Sequence, residues 1–228
     1  MTATIIVDKD LCTRCGICSD VCVLDIIDPA GENTLPKIAD EKAGMCVRCG
    51  HCESFCPSQA LLLSVRSDEM VPLPDGAGTL SPKDMSLYLK KRRSVRHFTK
   101  DPVPKEKILK ILDTARYAPS AGNGQPVQWI VVHDPAKVRK IAGLTMEWVK
   151  SLINTNHPMS GYIPILISEW EKGNDVVCRG APYLLLAHIP DGNPAAFVDA
   201  IIPLTYVDVL APSFGIGLIL VPYERRFC

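Results

Sequence analysis

"CVRCGHCESFCP", residues 46–57, places four cysteines and a proline within twelve positions. "CTRCGICSDVC", residues 12–22, repeats the same cysteine intervals, and both runs read C-x2-C-x2-C-x3-C. What these eight thiols hold decides the fold of the N-terminal region. The opening "MTATIIVDKD" shows no basic patch ahead of a long apolar stretch, so no secretory signal is read and a reducing, cytoplasmic setting is expected. There, clustered cysteines bind metal more often than they form disulfides. Zinc is one candidate, since C-x2-C pairs also build zinc ribbons. The third cysteine at the same short interval favours iron–sulfur: three thiolates of one tight loop can wrap three corners of a cubane, with the fourth supplied from elsewhere.

Residues 3–65 thus resemble the two-[4Fe-4S] bacterial-type ferredoxin module. The resemblance implies crossed ligation. One cluster would take Cys12, Cys15, Cys18 and Cys56, and the other Cys46, Cys49, Cys52 and Cys22. Pro57 follows the second run as that pattern asks, whereas Val23 follows the first. Gly16 and Gly50 suit a backbone folding tightly around a cluster. His51 reads as an outward spacer, and Cys178 as a small buried apolar residue rather than a nucleophile. Cys228 carries no readable role.

The chain has 228 residues, 47% of them apolar, with 25 basic and 25 acidic side chains. That length suits one large or two small domains. The balanced charge draws it toward neither nucleic acid nor anionic lipid. The most apolar stretch, residues 197–222, is interrupted by Asp199, Asp208 and three prolines, so a buried helix followed by a strand or turn is expected rather than a membrane span. Three regions are expected: an iron–sulfur domain over 1–66, a Pro/Gly-rich linker over 67–81 and a second domain over 82–228. In the last, Ser81-Pro82-Lys83-Asp84 opens a helix by its capping residues. A second helix follows Pro104, with Ile108, Ile111, Leu112 and Ala115 on one face. "VQWIVV" (127–132) and "YLLLAHI" (183–189) read as buried strands. Asp134-Pro135 opens a helix to about Leu152, and Asn193-Pro194 caps the long apolar helix, which Pro203 should kink. Residues 153–180 show little pattern.

Two stretches carry the chemistry of the second domain. "KKRRSVRHF", residues 90–98, crowds basic side chains around Ser94. It reads as a solvated helix end, as a nucleic-acid patch, against which the neutral chain and the lack of interleaved aromatics argue, or as a phosphate site, since arginine forks bind phosphate in bidentate fashion. "ARYAPSAGNGQPVQWIVV" then leads from a helix end through a small-residue turn into a strand. Its primary amides, Asn123 and Gln125, both donate and accept, as the edge of a flavin ring requires.

Taken in order, these stretches resemble the FMN-dependent nitroreductase family over residues 84–217. The matching residues are Arg92, Arg93, Ser94, Arg96 and Phe98, then Ala118, Pro119, Ser120, Asn123, Gln125 and Pro126. The resemblance implies a nitroreductase-type FMN-binding α+β sandwich, with a subgroup of the family carrying an N-terminal ferredoxin module. It implies that Arg92, Arg93, Ser94 and Arg96 hold the FMN phosphate and ribityl chain. Pro119, Ser120 and Asn123 would approach the flavin from the partner subunit of a homodimer, with Gln125 in a weaker ring contact. The helix near residues 194–211 would form the dimer interface. Val127 stands where the family often has an aromatic residue. After Gly217 the text stops resembling the family, which usually continues, so a truncated C-terminus is expected.

The function expected is an oxidoreductase passing electrons through two [4Fe-4S] clusters to FMN and on to a small organic acceptor. The donor would be a reduced ferredoxin or NAD(P)H. The alternative is a ferredoxin-like electron carrier on a non-functional flavin domain. No catalytic side chain is named, because positioning the ring and substrate suffices. Neither nucleic acid nor membrane is an expected partner.

Overall fold

The structure is a computed structural model, and it describes residues 3–64, 78, 80–190 and 192–221. Most of the expected linker, 67–81, lies outside the described residues. The chain forms two compact units: residues 1–79 with 121–124, and 80–120 with 125–228. The sequence assigns the turn 121–124 to the second domain, but it groups with the first unit. Asn123 Nδ2 donates there to the carbonyls of Val47 and Arg48 at 3.0 and 3.1 Å.

The first unit is a small repeat structure. Strand β1 (Ile5–Val7) pairs antiparallel with β4 (Leu61–Leu63), and β2 (Ile27–Asp28) with β3 (Lys37–Ile38). Two one-turn helices, α1 (Ile17–Asp20) and α2 (His51–Ser54), follow the second cysteine of each run. The repeat reaches the backbone. Arg14, Gly16 and Asp25 have positive φ, and so do Arg48, Gly50 and Gln59, each 34 positions later. Left-handed residues set among right-handed ones turn successive amides into a concave nest suited to an anion. Gly16 and Gly50, at φ 80° and 73°, take this conformation without the steric cost that a Cβ brings. Ile5, Ile26, Ile27, Ile38, Leu61 and Leu63 form the core, with four cysteines packed against it.

In the second unit, α3 (Pro82–Lys91) starts as its sequence dictates: the Ser81 hydroxyl accepts from the Asp84 amide at 3.1 Å. Helix α4 (Lys105–Ala115) buries Ile111 and Ala115, while Ile108 and Leu112 are half-buried. It ends before Pro119, whose restricted neighbour disfavours helix. Strands β5 (Gln128–Val132) and β6 (Leu184–His188) pair antiparallel, Ile130 opposite Leu186. They are half-buried rather than buried, and Ile130 is 51% exposed. Helix α5 (Pro135–Ser151) is capped by Asp134, whose carboxylate accepts from the Ala136 amide at 2.9 Å. Helix α6 (Ile163–Glu171) lies in the stretch read as unpatterned. Ile163, Leu166, Ile167 and Trp170 recur there at helical spacing and pack with Val138, Ala142, Met146 and Val149 of α5.

Helix α7 (Ala196–Leu210) begins two residues after the expected cap, and Asn193 Oδ1 instead accepts from the Ala195 amide at 2.8 Å. It continues past Pro203 as one helix. Extended to Phe214 it is long and apolar enough to cross a membrane by length and composition, yet it buries Asp199 and Asp208. Val207 of α7 and Ala211 form a second core with Ile111 and Ala115 of α4.

Ile163 is fully buried between α5 and α6. Ile163→Ala should therefore cost about 2–5 kcal/mol, as other large-to-small core changes do. Urea denaturation of the second unit checks this; a loss below ~1 kcal/mol would show that α6 does not seal the core.

Candidate functional site

Each cysteine run closes the other's cavity. Cys12, Cys15 and Cys18 border one cavity together with Cys56. Cys46, Cys49 and Cys52 border the other together with Cys22. The two enclose similar space, about 390 and 380 Å³ with their open mouths included. The remaining walls are mainly apolar: Val7, Ile17, Ala30 and Leu61 in the first, Leu24, Ile26, Ile27 and Ile38 in the second.

All eight thiols are free cysteines. Among the described residues, no group of three His, Cys, Asp or Glu side chains converges on a point that one metal ion could fill. Four thiols spaced around a cavity suit a polynuclear group whose separate metals each meet one sulfur. The residues present therefore fit an iron–sulfur cluster in each cavity.

The thiols are not alike. Burial pushes the Cys52 thiol up to about 11, despite the Glu53 amide pulling down, and the neighbouring thiols Cys46, Cys49 and Cys22 add to the rise. Burial likewise raises Cys18, against the pull of Ser19. At Cys56, burial also acts upward, but the Ser58 hydroxyl and the amides of Ala60, Ser58 and Leu61 outweigh it and bring the thiol below its ordinary value. Ala60 N–H donates to Cys56 Sγ at 3.3 Å, and Ser58 Oγ lies 3.8 Å from the same sulfur.

In the second unit the basic segment is held at both ends. Arg92, at the end of α3, pairs with the buried Asp208 of α7 at 3.2 Å, and Tyr88 donates to the Val209 carbonyl at 2.6 Å. Val95 N–H donates to the Leu218 carbonyl at 2.9 Å. Gly217 lies against Val95 so closely that a Cβ would stand 2.7 Å from Val95 Cγ2. Arg93 bonds the carbonyls of Lys90 and Arg92, each at 2.7 Å. Ser94 is half-buried and Arg96 is exposed, without an ion-pair partner among the described residues. In the following turn, Pro119 is exposed and the Ser120 hydroxyl accepts from the Gln125 amide at 2.9 Å. Asn123 and Gln125 have φ of 52° and 43°, a conformation that costs a residue with a Cβ and collects at ligand sites.

Asp208 was missed by sequence reading. Its signal was faint: a carboxylate inside an apolar helix, 116 positions from the arginine it meets.

An iron–sulfur-type module followed by an α+β unit carrying an arginine segment defines a redox protein, an oxidoreductase. The chain belongs to the nitroreductase family, whose model matches residues 89–223. The match runs past Gly217, where the sequence alone stops resembling the family. A 4Fe-4S dicluster domain matches residues 11–61. Among curated relatives, an NADH dehydrogenase of Thermus thermophilus is 46% identical over 63 residues, 28% of this chain and 31% of that protein. An iodotyrosine deiodinase of Haliscomenobacter hydrossis is 32% identical over 110 residues, 41% of this chain and 50% of that protein. The chain thus spans half or less of these relatives. The solved structure of an FMN-dependent nitroreductase from Clostridium difficile R20291 shares the fold, with a TM-score of 0.51 over 64% of this chain and 63% of that one at 23% identity.

Cys178 lines neither cavity and is 3% exposed. Burial, and then the charge of Asp175, push its thiol up to about 11 against the pull of Arg139. At pH 8 only about one such thiol in a thousand is ionised, and the thiolate is the nucleophile. Iodoacetamide at pH 8 should leave Cys178 unmodified in the native protein and alkylate it after denaturation. Peptide mapping reads the difference, and rapid native labelling would contradict the burial.

Proposed function

We propose that the protein is an iron–sulfur flavoprotein oxidoreductase, with Cys12, Cys15, Cys18 and Cys56 holding one [4Fe-4S] cluster and Cys46, Cys49, Cys52 and Cys22 a second. The observation that carries the reading is the crossed sharing of cysteines between two cavities, in a chain of the nitroreductase family. When bound, clusters carry single electrons, and a flavin joins that traffic to two-electron transfer with an organic acceptor.

The chain supplies binding and orientation. The eight thiolates hold the clusters, and the left-handed turns at Arg14, Gly16, Arg48 and Gly50 are of the backbone type that forms anion-binding nests. Arg92, Arg93 and Arg96 offer guanidinium forks to the FMN phosphate, with the Ser94 hydroxyl beside them. Pro119, Ser120 and Asn123 approach the flavin, and Gln125 supports the ring. FMN is also named in the structure sharing this fold. The exposed apolar side chains Phe197, Val198 and Ile201 of α7 suit coverage by a second copy in a homodimer. A reduced ferredoxin or NAD(P)H is the donor class, a small organic molecule the acceptor, and the cytoplasm the setting.

Anaerobic reconstitution followed by metal, sulfide and flavin analysis tests this. About eight iron and eight sulfide per chain are expected, four of each per cluster, together with one FMN. Zinc without sulfide would remove the cluster reading. Full iron without flavin would leave a ferredoxin-like electron carrier.

Because Arg92 is engaged by Asp208, Arg96 is the cleaner probe of phosphate binding. Arg96→Ala should weaken FMN more than riboflavin, by about 1.5–3 kcal/mol for a lost charged hydrogen bond. Equal losses for both ligands, measured by fluorescence titration, would place Arg96 away from the phosphate.

Cys49→Ser should damage one cluster, since serine poorly replaces a soft thiolate. In stopped-flow experiments at matched FMN occupancy, flavin reduction by a one-electron protein donor should slow, while direct chemical reduction should not. An unchanged protein-driven rate would take that cluster off the path.

A further inference from the structure

The 34-residue repeat lets each position of one site be compared with its counterpart in the other. Cys56 corresponds to Cys22, Ser58 to Leu24, and Ala60 to Ile26. Ser58 and Ala60 line the first cavity, and Leu24 and Ile26 line the second. Around Cys56 the Ala60 amide lies at 3.3 Å and the Ser58 hydroxyl at 3.8 Å. Around the Cys22 sulfur no donor is found among the described residues. Leu24 replaces the hydroxyl with a side chain that has nothing to donate.

We infer that the two sites are electrically unequal, and that the Ser58 hydroxyl tunes the site of Cys12, Cys15, Cys18 and Cys56 to the higher reduction potential. The inference rests on the cluster reading above. A ligating Cys56 is a thiolate with no proton to give, so Ser58 must be the donor. One-electron reduction adds one negative charge, shared by the ligand sulfurs. A hydrogen bond to such a sulfur stabilises the more negative state and raises the potential. Electrons entering the module would therefore settle first on the Cys56 site.

The test is a potentiometric titration of the anaerobically reconstituted full-length protein, followed by electron paramagnetic resonance after iron and sulfide analysis. Two separable one-electron transitions are expected. Ser58→Ala should lower the upper one, cutting the ratio of reduced to oxidised site at fixed potential by about threefold or more, the effect of weakening a hydrogen bond to a charged group. The lower transition should hold its place. Ser58→Thr keeps the hydroxyl and should restore the upper transition. Leu24→Ser should raise the lower transition, and it tests the same rule even where Ser58→Ala loads poorly. Full iron and sulfide with neither transition moved by Ser58→Ala or Leu24→Ser would overturn the inference and leave the cluster reading standing. Zinc in place of iron and sulfide would overturn both.

Discussion

The first unit depends on one exchange: each cysteine run completes the cavity of the other. Cys56 closes the pocket formed by Cys12, Cys15 and Cys18, and Cys22 closes the one formed by Cys46, Cys49 and Cys52. Neither half can satisfy its own four-thiol site, so the two halves must associate before either site is whole. The strands that bring them together are only two or three residues long. A core that small offers limited hydrophobic stabilisation, and metal ligation in such domains becomes part of the folding free energy.

The second unit solves a different problem. A segment crowded with positive charge must be kept in one place without being buried. The close approach of Gly217 to Val95 and the amide bond from Val95 to Leu218 fix its middle. Arg92 is drawn to Asp208, while Tyr88 ties the end of α3 to α7. A side chain at position 217 would push Val95 aside and carry the flanking Ser94 and Arg96 with it. The glycine is therefore part of the basic segment's support, although it carries no polar group.

Local signals were legible and distant ones were not. Ser81 and Asp134 announced their helices, because a cap is chemistry between neighbours. The cysteine intervals announced their partition into two sets of four by resemblance alone, since both sets use runs of the same spacing. Helix α6 was overlooked although Ile163, Leu166, Ile167 and Trp170 hold helical spacing; the prolines and polar residues around it obscured the pattern. The apolar runs of the strands read as buried, yet Ile130 is half in solvent, because composition does not say how many layers cover a sheet. The Arg92–Asp208 pair joins residues 116 apart and has no local pattern.

Helix α7 departs from the usual amphipathic arrangement, although Val207 packs in the core. Its carboxylates Asp199 and Asp208 are buried, while Phe197, Val198 and Ile201 are exposed. If a second copy covers that face, apparent stability will depend on protein concentration, and the midpoint of thermal unfolding will rise as the protomers are concentrated.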